Sequence, residues 1–163
     1  MNEITYQPIG IIHTGFKERE GVPIQPAGAK GIEGYVEVYP EYEQGLKDLE
    51  GFSHVYLIYH FHLSSGYSLM IKPFMDSKDR GLFATRAPKR PNPIGISIVR
   101  VIDIDKNIIH IKDVDIVDGT PLLDIKPYVP EMGVGENEDI KIGWLENTIH
   151  NVETSRADDR FTE

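Results

Sequence analysis

Four groups of residues in the chain have types and spacings suited to chemistry. The first is Phe83-Ala-Thr-Arg-Ala-Pro-Lys-Arg-Pro-Asn-Pro-Ile-Gly95, which places Arg86, Lys89 and Arg90 within five positions of a chain of net charge −9. Pro88, Pro91 and Pro93 fix three φ angles and push the residues before them towards extended backbone. A loop stiffened in this way loses little entropy on binding, so the segment reads as a preformed site for an anion or a nucleotide. The alternative is a proline-rich connection with solvated charges. The second group is His54, His60 and His62. Two imidazoles two positions apart on one strand face suit a divalent metal, but no Glu follows at a supporting spacing. A structural or ligand-stacking role at a strand end is expected instead, with no metal. The third is the turn Asp118-Gly119-Thr120-Pro121, whose backbone N–H groups and side-chain oxygens suit the polar edges of a small molecule; an ordinary Asp-Gly hairpin turn is the alternative. The fourth is the alternation of Asp124, Lys126 and Tyr128 with Leu123, Ile125 and Pro127, which equally suits a solvated strand face.

Several classes of function are excluded. With no cysteine among 163 residues, disulfides, thiolate zinc sites and a Cys nucleophile are absent, and the composition suits a reducing cytoplasm. The sequence contains no Gly-x-Ser-x-Gly elbow, Gly-x-Gly-x-x-Gly dinucleotide loop or Gly-Lys-Ser/Thr phosphate loop. No apolar run approaches the roughly 20 residues of a membrane span, and Met1-Asn-Glu-Ile-Thr-Tyr6 has no signal-peptide pattern. The acidic balance argues against a broad, non-specific grip on nucleic acid while leaving room for a local basic patch.

The elements that must hold these groups are mostly strands. Ile9–His13, Tyr35–Tyr39, Phe52–Phe61, Gly81–Ala84, Ile94–Ile104, Ile108–Val117, Leu122–Lys126 and Ile140–Trp144 read as strands by alternation. Val55, Leu57, Tyr59 and Phe61 share one face of the third. Pro40 opens a short helix that Gly51 stops, Lys17–Gly31 is a long loop of a length that usually has a job, and Asp105-Lys-Asn107 is a tight turn. No helix has the spacing that a parallel sheet requires. The expectation is a mainly β fold: a single antiparallel β-barrel-like domain over residues 1–150 with few short helices, then a charged tail over 151–163.

Taken in order, Ile9-Gly-Ile-Ile-His13, Val22-Pro-Ile-Gln-Pro26, Leu49-Glu-Gly-Phe-Ser-His54, Phe61-His62, Gly81-Leu-Phe-Ala-Thr-Arg86, Arg90-Pro-Asn-Pro-Ile-Gly95 and Asp115-Ile-Val-Asp-Gly-Thr-Pro-Leu-Leu-Asp-Ile-Lys-Pro-Tyr128 resemble the TrmO (TsaA-like) family of S-adenosylmethionine-dependent tRNA methyltransferases, over about residues 4–132. The resemblance implies a β barrel, a homodimer, S-adenosyl-L-methionine as cofactor, and N6-methylation of threonylcarbamoyl-adenosine beside the tRNA anticodon. It implies a cofactor pocket on Pro26, Ala27, Gly28, His62, Leu63, Arg86, Ile96, Asp118, Gly119, Thr120 and Pro121. Within that pocket, Arg86 is suited to a carboxylate, and the backbone of Ile96 and of the Asp118 turn to adenine edges. Asp124 is the candidate to accept the hydrogen bond of the attacking nitrogen, with Asn92 and Tyr128 as positioning groups. Lys89 and Arg90 are left for tRNA phosphates or a partner subunit. Many family members carry a further C-terminal domain that helps hold tRNA, and in a chain ending at Glu163 that domain is expected to be missing or vestigial. A non-catalytic S-adenosylmethionine-binding regulatory module is therefore the alternative reading.

Overall fold

Alternating side chains dictate the architecture. In the strand His54–His60, Val55, Leu57 and Tyr59 are buried while the residues between them are half-exposed, the signature of a sheet with one face on a core. The computed structural model describes residues 2–18, 20–24, 26–151 and 156. Its strands are β1 (Gly10–His13), β2 (Glu33–Val38), β3 (His54–His60), β4 (Met70–Ile71), β5 (Arg80–Gly81), β6 (Ile94–Asp105), β7 (Ile108–Lys112) and β8 (Thr120–Pro127). Six close an antiparallel barrel in the order β1-β2-β7-β6-β3-β8, and β4 pairs with β5 beside it. The mainly β, barrel-like fold expected from the sequence is the fold observed.

Ile12, Val36, Val55, Leu57, Val99, Ile109, Ile111 and Leu122, all at 0% exposure, fill the interior. Burying each such side chain is worth about 1.5–3 kcal/mol. β6 pairs with β3 from His54↔Arg100 to His60↔Ile94, so Gly95, Ser97 and Val99 face inwards. Ile94, Ile96 and Ile98, which share one side by alternation, therefore form the outer side, with Ile94 40% and Ile96 44% exposed. A bulge in the β3–β8 pairing, between Ile58 and Tyr59, switches the inward set of β8 from Thr120 and Leu122 to Ile125. Asp124 and Lys126 thereby come to the outside.

Several expected elements differ. Pro40–Gly51 is two 3-10 helices, Pro40–Leu46 and Leu49–Gly51, separated by Asp48 at φ 70°. Gly81–Ala84 is not a strand throughout: β5 ends at Gly81, and Leu82–Ala84 is a 3-10 turn. β7 stops at Lys112 because Asp113 takes a left-handed φ of 63°, its carboxylate accepting the Gly31 N–H at 2.7 Å and pairing with Arg100 at 3.4 Å. Ile140–Trp144 is not a strand; a 3-10 helix covers Gly143–Asn147. Within the long loop, Pro26–Ala29 forms a 3-10 turn. Of the charged tail, only Asn151, which ends the 3-10 turn Ile149–Asn151, and Arg156, which bridges to Pro23, are among the described residues. No helix among the described residues is long and apolar enough to cross a membrane.

Candidate functional site

Where β3 ends, β6 begins and β8 begins, the barrel opens on a cavity of about 650 Å³. Such a volume suits a small organic ligand. The basic loop forms one wall. Ala87 is buried with Ile71 and Leu82, with Phe74 packed against them, and this small apolar cluster seats the loop on β4 and β5. The prolines are thus one part of what fixes the loop; the other is internal bonding. Thr85 donates its hydroxyl to the Leu82 carbonyl at 2.7 Å. Arg90 donates to the carbonyls of Thr85 (2.9 Å) and Ala87 (3.2 Å), with its guanidinium over the Phe83 ring. Arg86 donates to the Ile96 carbonyl at 2.7 Å and so ties the loop to β6 beside the cavity.

Gly95 makes the loop–strand junction possible. A Cβ there would overlap the Tyr59 ring, so only glycine lets the ring lie flat on β6. From that position the Tyr59 hydroxyl reaches Ser97 Oγ at 2.8 Å, and Ser97 donates to Asp115 Oδ1 at 2.6 Å. A serine hydroxyl has one proton to give, so Tyr59 must donate to Ser97, and the chain of bonds runs Tyr59 to Ser97 to Asp115. Desolvation pushes the Asp115 carboxyl up to about 7, against the lowering effect of the Ser97 bond and of Arg86. Desolvation and the Asp115 charge push the Tyr59 phenol up as well, so it stays protonated as a donor.

Of the sequence-predicted residues, His62, Leu63, Arg86, Arg90, Ile96 and Thr120 line this cavity together. The Thr120 hydroxyl donates to the Val117 carbonyl at 2.6 Å and lies 3.4 Å from His62 Nδ1. Asp118, Gly119 and Pro121 are not lining residues. The Asp118 carboxylate turns the other way, accepting from the Thr14 N–H at 3.0 Å and from Lys17 Nζ at 2.6 Å; the Lys17 bond holds it below the usual carboxylate range. Gly119 has φ 80°, the left-handed turn conformation that glycine supplies without strain. Pro26, Ala27 and Gly28 lie in the 3-10 turn Pro26–Ala29 of the long loop, and Gly28 is not a lining residue.

The acceptor-side candidates also fall outside. Asp124, on the outer face, accepts from the Ile125 N–H at 2.9 Å and pairs with Lys126 at 2.9 Å. Tyr128 sits edge-on to Tyr56 and His54, Asn92 is exposed, and Lys89 is half-exposed at the loop tip. His54 is bonded to Ser53 at 2.7 Å, and His60 closes β3 opposite Ile94, so the three histidines do not converge. Among the described residues no group of three or more His, Asp or Glu is placed to hold a metal ion.

Sequence reasoning missed Tyr59, Phe74, Asp115 and the segment carrying Trp144, Leu145 and Ile149, all of which line the cavity. Trp144 donates its indole N–H to the Ala84 carbonyl at 2.8 Å and packs under Arg80. It is thereby pinned to the basic loop as a second wall.

The comparisons bear on the family and the fold. The model of the tRNA-methyltransferase O N-terminal domain matches residues 11–134. A Pyrococcus abyssi protein named a probable S-adenosyl-L-methionine-binding protein is 60% identical, covering 97% of this chain and 85% of that protein. The Escherichia coli tRNA (adenine(37)-N6)-methyltransferase is 36% identical over 80% of this chain and 60% of its own length. The crystal structure of TrmO from Pseudomonas aeruginosa superposes with a TM-score of 0.71 at 36% identity, covering 87% of this chain and 62% of that one. The chain thus spans about three-fifths of the length of the latter two.

Proposed function

The chain belongs to the tRNA-methyltransferase O N-terminal domain family, and from that premise we propose that it binds S-adenosyl-L-methionine in the cavity and methylates N6 of threonylcarbamoyl-adenosine beside the tRNA anticodon, acting in the cytoplasm as a homodimer. The observation that carries the reading is the cavity. It has mainly apolar and aromatic walls, which suit an adenine ring, and one of its cations, Arg86, is held by a backbone carbonyl. A guanidinium so placed suits the methionine carboxylate, and the volume suits a ligand of this size.

Bound S-adenosylmethionine supplies a methyl group already activated on a positively charged sulfur. The protein's share is then positioning and dealing with the proton of the attacking nitrogen. The basic loop and the Trp144 segment enclose the donor and exclude water from it. Lys89, at the loop tip, and Arg90 are suited to tRNA phosphates. Asp124 accepts the hydrogen bond of the acceptor nitrogen, with Asn92 and Tyr128 positioning it. These three lie outside this chain's own lining, so the reading has them serve the cavity of the second subunit in the proposed homodimer. The outer face of β3 and β6, where Ile96 pairs with Ile58 and Ile98 with Tyr56, supports that arrangement by offering an apolar stripe beside the cavity.

A second reading, a non-catalytic S-adenosylmethionine-binding module, is favoured by one observation: the Pyrococcus abyssi relative, whose length the chain nearly spans, carries only a binding protein's name. Transfer of labelled methyl from S-adenosylmethionine to tRNA containing threonylcarbamoyl-adenosine separates the two. The first reading expects methylated nucleoside after digestion; the second expects cofactor binding with none.

A further inference from the structure

Asp115 is the one carboxylate among the described lining residues of the cavity, and nothing in the proposed chemistry has used it. It is largely buried in the cavity wall, where Ser97, backed by Tyr59, occupies its Oδ1. Arg86, on the basic loop, is near enough to act on it electrostatically. One wall region therefore offers a carboxylate and a guanidinium to the same ligand. We propose that Asp115 binds the α-ammonium group of S-adenosylmethionine while Arg86 takes the adjacent α-carboxylate, so that the pair reads the amino-acid end of the cofactor as a zwitterion. The inference rests on the cofactor reading above.

Two arguments assign the ammonium rather than the sulfonium. The positive charge on sulfur disappears as the methyl leaves, so a carboxylate beside it stabilises the ground state more than the transition state and slows the reaction. The ammonium keeps its charge throughout and costs nothing at that step. In addition, a carboxylate and an ammonium on one carbon call for an anion and a cation near one another, as Asp115 and Arg86 are.

A proton linkage follows. Without ligand, burial holds the Asp115 carboxyl up at about 7; pairing with an ammonium requires the ionised form. Binding therefore releases a proton below about pH 7, and affinity falls by up to roughly tenfold per unit as pH drops further. The titratable and charged groups facing Asp115 are Tyr59 from β3 and Arg86 from the basic loop, with His62 and Arg90 elsewhere on the lining. Ser97 and Thr120, from β6 and β8, carry no charge. In Asp115's own segment, Asp113 is engaged with Arg100 and Asp118 with Lys17.

Calorimetric titration of the full chain with S-adenosylmethionine, S-adenosylhomocysteine and methylthioadenosine, which lacks the amino-acid end, tests this directly. For Asp115→Asn we expect affinity for the first two to fall about ten- to hundredfold above pH 7. Affinity for methylthioadenosine stays unchanged, showing the pocket intact. The pH slope and the proton release disappear in Asp115→Asn but persist in His62→Gln. Unchanged binding of S-adenosylhomocysteine by Asp115→Asn overturns the proposal. So does a loss confined to S-adenosylmethionine, which would assign Asp115 to the sulfonium, and so does a slope that vanishes with His62 instead. Failure of the parent chain to bind any of the three would instead sink the cofactor reading beneath it.

Discussion

A carboxyl group walled in by Ser97 and Tyr59 gives up hydration that it keeps in the unfolded chain. Between roughly pH 4 and 7 the folded protein holds a proton on Asp115 that the unfolded chain has released, so this group's contribution to stability falls as pH rises through that window and is fully unfavourable above it. Asp115→Asn keeps an oxygen for the Ser97 hydroxyl and removes the charge. Its melting temperature should exceed the parent's at about pH 8, with the gap narrowing towards about pH 4; a parent that melts higher at about pH 8 would contradict this. A carboxylate kept at a cost to the fold is what a binding role explains. Arg86 is the converse case, an exposed side chain whose loss leaves the core intact. Arg86→Ala should weaken cofactor binding about ten- to hundredfold with little change in melting temperature. The emission of Trp144, the single tryptophan of the chain and a lining residue, reports the titration. Unchanged affinity would remove Arg86 from the site.

The elements meet most tightly where β6 passes β3 at Gly95. Gly95→Ala drives a methyl group into the Tyr59 ring, with Phe61 Cζ only 2.8 Å away, so the ring must turn and its bond to Ser97 is lost. The expected destabilisation is about 1–3 kcal/mol, read as a lower thermal midpoint; a midpoint equal to the parent's would show that the junction tolerates a side chain. Strands β1, β2, β3, β6 and β8 were legible because their alternation has a buried side and a wet side. Ile140–Trp144 alternates equally well but fails as a strand, because a closed barrel leaves no edge for it to pair with. β7 was overrun for a different reason: Val114 and Ile116 remain buried after the strand has ended, so hydrophobicity continued while the backbone turned at Asp113. Asp115 lies in that misread stretch. Its partners Ser97 and Arg86 are 18 and 29 positions earlier, and no local spacing announces them. The one signal available was its place at the head of the Asp115–Tyr128 motif. Arg86, His62 and Thr120 were reachable because a stiff basic loop, a strand end and a glycine turn are local features.

At the scale of the whole molecule, the proposed function requires an acidic chain to meet a polyanion. Its net charge of −9 opposes tRNA overall and the basic loop is a local exception, so binding should depend on few contacts. The proposed homodimer would double those contacts and bring Asp124 towards a second cavity. Light scattering after gel filtration should give about 37 kDa, twice the 18.5 kDa chain, and Ile98→Glu, on the apolar outer stripe of β6, should shift it to the single-chain mass. A single-chain mass for the parent would remove the dimer and the role given to Asp124. The claim to which all three scales contribute is that this cavity delivers a methyl group to an adenine nitrogen of tRNA. Its most direct test is to incubate the protein with labelled S-adenosylmethionine and tRNA bearing threonylcarbamoyl-adenosine, then to digest the tRNA and separate its nucleosides. The account predicts label on N6 of that one nucleoside, reduced by Arg86→Ala and by Asp115→Asn. Cofactor binding with no label in any nucleoside would contradict it.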